Sequence, residues 1–455
     1  MRTRKILCMI LSALLLLACG GCSPSEEDKK FDELTKTSSA LSASSQAEVP
    51  AEKELSGKLR IMADMEFDRT GVSAQAKGFM KLHPNVEIEV EYGLDVSDEA
   101  GSAESYYAKV DQYLQRIATR VMGGDPPDVL VSGIFPVEKY TASGLLTDLY
   151  PLMEADGIKR SEFFENILGL YEHDGSLYVL PGSFTVSACM LNRDALSAAG
   201  VEEPETVDYA FLSDTYEATK QSSAMPTLKS LDVGQIMGKN TLDGLEYPLY
   251  MDFEGKAASF TSPEFITYLE KTGRNDTTVT VLDGFSNADI QGDGSNPVGD
   301  YFVTPNDSLA VITALDPQKM IWMEPTDEGA TGLIPLANSQ GQVCATSSEC
   351  MAIPVGSENK ELAWEFVKFC MDGTAGFPIR KSACENELRK VYAYNDGDIE
   401  KAEAFIAKAA ARPLGDQKFI EIIRSDLGDY YDRGLLSAEA CARKLQDKAE
   451  MYLNE

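Results

Sequence analysis

The chain has 455 residues, 41 Lys plus Arg against 73 Asp plus Glu, and a formal net charge of −32. So large an acidic excess repels nucleic-acid phosphates and anionic headgroups, which excludes functions built on polyanion binding. Only two His are present, leaving little room for His-based catalysis or a multi-His metal site, while 44% hydrophobic and 25% charged residues exclude wholesale disorder. At ~100–200 residues per domain, the length predicts two or three domains with real cores.

Arg2, Arg4 and Lys5 precede the apolar run Ile6–Ala18. A positive flank, a short apolar stretch and a small residue before the cut describe a secretory signal peptide. The run falls short of the ~17–25 residues that a spanning helix needs. Leu16-Leu17-Ala18-Cys19 resembles the bacterial lipobox, which implies a signal peptide over 1–18 and lipidation, with palmitate among the acyl groups, at Cys19; Gly21-Cys22 is a second candidate. Loss of residues 1–18, which carry three cations and no acid, takes the net charge from −32 to about −35. Residues 19–56 are rich in Ser, Ala, Glu and Lys and poor in large apolar residues, so they read as a disordered tether. Past the lipobox the cysteines are Cys22, Cys189, Cys344, Cys350, Cys370, Cys384 and Cys441. They are too sparse for a disulfide scaffold, and Cys344 with Cys350 is the one pair close enough in sequence to suggest a bridge.

From residue 58 strands and helices alternate. KLRIM (58–62) is a short apolar strand, and 86–92 alternates Val86, Ile88 and Val90 at period two. Between them 74–82 reads as a helix ending before His83-Pro84. Val110, Leu114, Ile117 and Val121 recur at helical spacing up to Gly123-Gly124. The apolar run in 126–133 suits a strand buried on both faces, as in parallel sheets. This order predicts a layered α/β domain. A second series follows: strands at 309–314, 333–337 and 350–355, a helix over 361–371 with Leu362, Phe366, Phe369 and Cys370 on one face, and a final helix 437–453. That last helix carries Cys441, Leu445, Ala449 and Tyr452 inward, with Ser437 as its N-cap. Residues 221–305 are the least readable.

Several segments in common order resemble the extracellular solute-binding proteins of the maltodextrin/oligosaccharide type that serve ATP-driven importers. They are FMKLHPNVEIEV (79–90), GGDPPDVLV (123–131) with SGLLTDLYPLMEAD (143–156), HDGSLYVLPGSF (173–184), MLNRDALSAAGVEEPET (190–206), MAIPVGSENKELAWEFVKF (351–369) and KAEMYLNE (448–455). The resemblance implies a two-lobe periplasmic-binding-protein-like fold of type II, α/β in class. It places an N-terminal lobe at 57–183 plus 345–379 and a C-terminal lobe at 184–344 plus 380–455. Hinge crossings fall near Pro181–Phe184, Cys344–Cys350 and Phe377–Lys381, with ligand held in the interlobe cleft. It further implies a monomeric receptor, tethered by lipid to the outer face of a bacterial cell membrane, that passes a small solute to the permease subunits of an ABC importer without chemistry or cofactor.

Matching the family's contact loops residue by residue implies ligand contacts at Asp64 and Glu66, whose carboxylates each accept from two sugar hydroxyls. Ser132 and Phe135 occupy the second contact loop, and Ser183, Phe184 and Thr185 the first crossing. Many relatives have Gly-x-Trp after the strand matching 309–314; here Leu315, Asp316 and Pro317 follow, and Trp322 takes the stacking role. Arg380 adjoins the third crossing, beside Phe377; Asp416 and Phe419 begin a helix aimed at the cleft. Trp364 reads as core, and His83 and His173 as non-catalytic. Asp289, Gln291, Asp293, Gly294 and Asp300 partly fit a calcium-loop template, but position 9 is Pro297 and position 12 lacks Glu, so no metal is assigned. The missing Gly-x-Trp leaves a peptide or organic acid open as the solute in place of a sugar; from another class, a surface carbohydrate-active hydrolase needs two carboxylates ~5–9.5 Å apart.

Overall fold

A computed structural model describes residues 54–64, 71–94, 103–220, 228–230, 244–273, 279–281, 290–291, 302–303, 309–322, 331–347, 349–371, 376–413, 417–431 and 433–454. The chain divides into units of residues 1–53 and 54–455, and every described residue belongs to the second. The signal segment, Cys19 and almost all of the tether and of the calcium-like loop lie outside the described residues.

The strands, in chain order, are β1 (Ser56–Ala63), β2 (Asn85–Tyr92), β3 (Val129–Val131), β4 (Leu180–Pro181), β5 (Ser183–Asn192), β6 (Leu228–Ser230) and β7 (Val279–Val281). Then come β8 (Ala310–Leu315), β9 (Thr331–Pro335), β10 (Val343–Thr346), β11 (Cys350–Ala352), β12 (Phe377–Pro378) and β13 (Ala409–Ala411). They build the two α/β lobes of the type II architecture.

The first sheet runs β2-β1-β3-β11-β4. β1 pairs in parallel with β2, Leu59 opposite Ile88, and with β3, Ile61 opposite Val129. Leu59, Ile61, Met62 and Ala63 are all buried, as a central strand covered on both faces requires. β11 returns antiparallel, with Met351 opposite Val131. The second sheet runs β7-β6-β8-β5-β10-β13, and β9 and β12 also pair with β5.

Two hydrophobic clusters fill the protein. The first surrounds β1, β3 and β11 and takes in Phe79, Tyr113, Phe184 and Phe366. The second gathers Tyr247, Phe260, Phe265, Phe419 and Tyr452 with the inner face of the C-terminal helix Ala438–Asn454. On that helix Cys441, Leu445, Ala449 and Tyr452 are buried, and Ser437 Oγ accepts the Ala440 N–H at 3.2 Å, the N-cap bond. Helix Lys360–Cys370 buries Leu362, Trp364, Phe366 and Cys370, whereas Phe369 is 38% exposed. Its ring meets Phe79 edge-on at 5.5 Å, so it rims the core and is not part of the inner stripe. Helices Lys381–Lys390 and Asp396–Ala407 send Cys384, Leu388, Ile399 and Ile406 into the first cluster, while Phe419 onward joins the second. Among the described residues no helix is long and apolar enough to cross a membrane.

Cys344 and Cys350 do not form the bridge that their spacing suggests. All six described cysteines are free and buried, and Cys344 belongs to the second cluster but Cys350 to the first.

The start of β5 pairs with two segments that the sequence resemblance places at hinge crossings. Ser183 and Phe184 pair with Pro378 and Phe377, and Thr185 and Val186 with Thr346 and Ala345. At the third crossing Gly376 lies so close that an added Cβ would sit 2.5 Å from the Phe184 carbonyl oxygen. Gly376→Ala is therefore expected to cost about 1–3 kcal/mol through overpacking, seen as a lowered midpoint in chemical denaturation.

Candidate functional site

The carboxyl ends of β1 and β3 meet the amino end of β11 at one edge of the first sheet, beside the hinge. In open α/β sheets this edge is where ligands collect. Asp64 follows β1 and is 6% exposed; its Oδ2 accepts from Ser132 Oγ at 3.2 Å and from the Gly133 N–H at 3.0 Å. Ser132 Oγ in turn accepts the Ile134 N–H at 3.1 Å, and the Ser132 N–H donates to the Cys350 carbonyl at 3.0 Å. One residue before Cys350 stands Glu349, 8% exposed, just ahead of β11, the strand that pairs with β3. Its N–H donates to Ser347 Oγ at 3.2 Å, and no hydrogen bond reaches its carboxyl among the described residues.

Burial pushes the Glu349 carboxyl up to about 7, and the Asp64 charge adds to the rise. Behind Asp64 the Tyr113 side chain is wholly buried. Burial, then the Asp64 charge, holds its phenol well above the usual range. Gly93 admits the Tyr113 ring, since a Cβ there would lie 1.8 Å from a ring carbon. On the other side of Cys350, Arg412 pairs with Glu138 and lies over the Tyr171 ring at 4.8 Å. Two carboxyl groups, a hydroxyl and backbone amides thus converge where both lobes are tied. Such a set accepts hydrogen bonds from a polar, donor-rich solute.

The remaining sequence-derived candidates are more dispersed. Ser183 and Phe184 are buried in the hinge, the Phe184 ring set between Phe164 at 5.7 Å and Phe377 at 5.8 Å, while Thr185 is half-buried. Phe135 is 2% exposed and packs edge-on against Tyr140. Phe419 is a core residue, stacked at 6.1 Å on Phe260 and flanked by Tyr247 and Tyr452; its ring stabilises the second cluster and presents no open face. Asp316 follows β8 and caps the helix Pro317–Trp322, accepting the Lys319 N–H at 2.8 Å. Arg380 is ion-paired with Glu162 at 3.4 Å and lies over the Phe163 ring. Glu66, Asp416 and the Trp322 side chain lie outside the described residues. Trp364 is core, donating its indole N–H to Asp156 at 2.7 Å.

Glu349 and Arg412 escaped the sequence reading. Glu349 precedes the apolar run 350–355, and a carboxylate at the mouth of a strand buried on both faces is the signal that could have marked it. Arg412 offered none, because the strand it follows, β13, reads as plain Ala409-Ala410-Ala411.

Residues 68–372 match the family of bacterial extracellular solute-binding proteins. Among solved structures, an ABC substrate-binding protein of Listeria monocytogenes in complex with cycloalternan is 16% identical with a TM-score of 0.55, the alignment covering 87% of this chain and 99% of that one. The GacH receptor of Streptomyces glaucescens, determined unliganded and with acarbose, is 18% identical over 88% of this chain and 100% of its own, TM-score 0.54. Maltose-bound MalE3 of T. maritima is 17% identical over 87% and 99%, TM-score 0.54. At these identities the likeness is one of fold.

The Glu349 environment has a thermodynamic signature. Folded Glu349 keeps its proton up to about pH 7, whereas the unfolded chain releases it near 4.5. Stability from this group is therefore greatest below 4.5 and declines as pH rises through that window. Glu387, pushed up to about 8 by burial, acts in the same direction. Glu349→Gln is expected to flatten the fall in melting temperature between pH 5 and 8 by the equivalent of ~1–3 kcal/mol, leaving the Glu387 contribution in place; parallel slopes for both proteins would contradict the assignment.

Proposed function

This chain belongs to the bacterial extracellular solute-binding protein family, and we propose that it is the carbohydrate receptor of an ABC importer. It takes a sugar, an oligosaccharide as in the cycloalternan, acarbose and maltose complexes of similar folds, between its lobes and hands it to the permease. The observation that carries this reading is the convergence of Asp64, Ser132 and Glu349 at the sheet edge beside three hinge crossings. Acceptors clustered there suit hydroxyl groups, and the sugar complexes of structures with the same fold supply the class of ligand. Closure follows if the solute touches both lobes, since a ligand shifts a conformational equilibrium only by its differential affinity for the two states. In this reading the receptor is a monomer and performs no chemistry. The signal pattern and Cys19 tether it by lipid to the outer face of the cell membrane.

Titration calorimetry with a panel of neutral mono- and oligosaccharides is expected to give stoichiometric binding to at least one, with no product formed. Asp64→Asn should weaken that binding about 10–100-fold, the worth of a hydrogen bond to a charged group. Release of shorter sugars in the same tube would favour the hydrolase reading, in which the Asp64 and Glu349 carboxyls act as the acid and base. Binding of a peptide or organic acid in place of every sugar would retain the receptor and change its cargo.

The anchor is tested separately. Cys19→Ala expressed in a bacterial host should lose labelled palmitate incorporation and leave the membrane fraction; unchanged labelling with loss in Cys22→Ala would move the anchor to Cys22.

A further inference from the structure

Resting on the carbohydrate reading above, we propose that Glu349, together with Asp64, makes the receptor selective for a solute bearing a protonated nitrogen, such as an amino sugar, over its neutral counterpart. Two buried carboxyl groups share this corner, and each has been drawn into the protein by a different strand end. Asp64 accepts from Ser132 Oγ and from the Gly133 amide. Glu349 has no such support: more than nine-tenths buried, its carboxyl accepts no hydrogen bond from a described residue. A neutral hydroxyl of a sugar satisfies one acceptor but compensates no charge. An ammonium group compensates the charge, and its three donors can be shared among the carboxylates.

The described cations around the corner are committed elsewhere. Arg412 pairs with Glu138, Arg116 and Arg120 with Glu91, and Arg380 with Glu162. Cys350, Cys370 and Tyr171, which border the same hinge, are neutral groups held so by burial. The formal charge of −32 draws cations toward the molecule from a distance. A buried carboxyl that nothing in the described protein compensates is a costly feature for a receptor of neutral sugars, and a useful one for a receptor of cationic ones.

The test uses the intact chain in detergent and a matched pair of probes at pH 7.5, chitosan trisaccharide with free amines and its fully N-acetylated counterpart, beside maltotriose. Calorimetry is expected to give at least tenfold tighter binding of the free amine than of the N-acetyl form. Glu349→Gln should bring that ratio within about twofold, and Asp64→Asn should reduce it less, with both variants retaining cooperative thermal unfolding. Equal binding of the two forms, or a ratio unchanged by Glu349→Gln, overturns the proposal. Binding of maltotriose alone overturns the cation preference and leaves the sugar reading standing. Binding of spermidine but no sugar, lost in Glu349→Gln, upholds the preference for cations and overturns the carbohydrate reading.

Discussion

One ten-residue strand, β5, holds the molecule together. Its first two residues pair with the third crossing and the next two with the second. From Val186 onward it pairs with β8 on one side, and from Ala188 to Asn192 with β9 on the other. A single extended segment therefore pairs with both β12 and β10 before it becomes a central strand of the second sheet. Backbone hydrogen bonds, which leave few buried donors or acceptors unpaired, fix its register. The residue alternation along β5 then directs Phe184 into the first cluster and Cys189 and Leu191 into the second. Both lobes are organised from this one strand.

The ligand corner depends on the same register. Because β11 lies antiparallel to β3 and also pairs with β4, the second crossing delivers Glu349 to the sheet edge where β1 and β3 end. Asp64 and Glu349 are 285 positions apart in the sequence numbering, and only this topology brings them together. Their environments diverge: Asp64 accepts from two donors, whereas burial favours the protonated form of Glu349. A buried, perturbed acid within reach of a second carboxyl group is a pattern found at functional sites.

Much of the scaffold was legible in the sequence because its strands are continuous apolar runs. KLRIM became β1, extended at both ends to Ser56–Ala63; the strand read at 309–314 became Ala310–Leu315; the helices read at 361–371 and 437–453 shifted by a single residue. β5 was harder to see, since Ser183-Phe184-Thr185-Val186-Ser187 alternates while Ala188-Cys189-Met190-Leu191 runs apolar, and the stretch changes sheets midway. Of the site, Asp64 and Ser132 were readable as polar residues directly after buried strands. Phe419 was not separable from a ligand platform, because an aromatic residue on a helix looks alike in sequence whether its ring meets a sugar or Phe260. Glu349 carries one local signal, its place at the mouth of the apolar run 350–355, and nothing nearby in the sequence shows that Asp64 will be its neighbour.

The six free thiols bear on how the polypeptide withstands an oxidising exterior. Burial raises the pKa of Cys189, Cys344, Cys350, Cys370 and Cys384, Cys350 up to about 11 and Cys344 up to about 12, and so keeps these five thiols protonated at neutral pH. Thiolate is the species that oxidants and disulfides attack, so the native surface offers them no described target. Vulnerability is confined to the interval between emergence and collapse, when every cysteine is exposed and any two can be mispaired. For this polypeptide the race between hydrophobic collapse and thiol oxidation, and not the redox potential of the finished fold, decides how much of it matures intact.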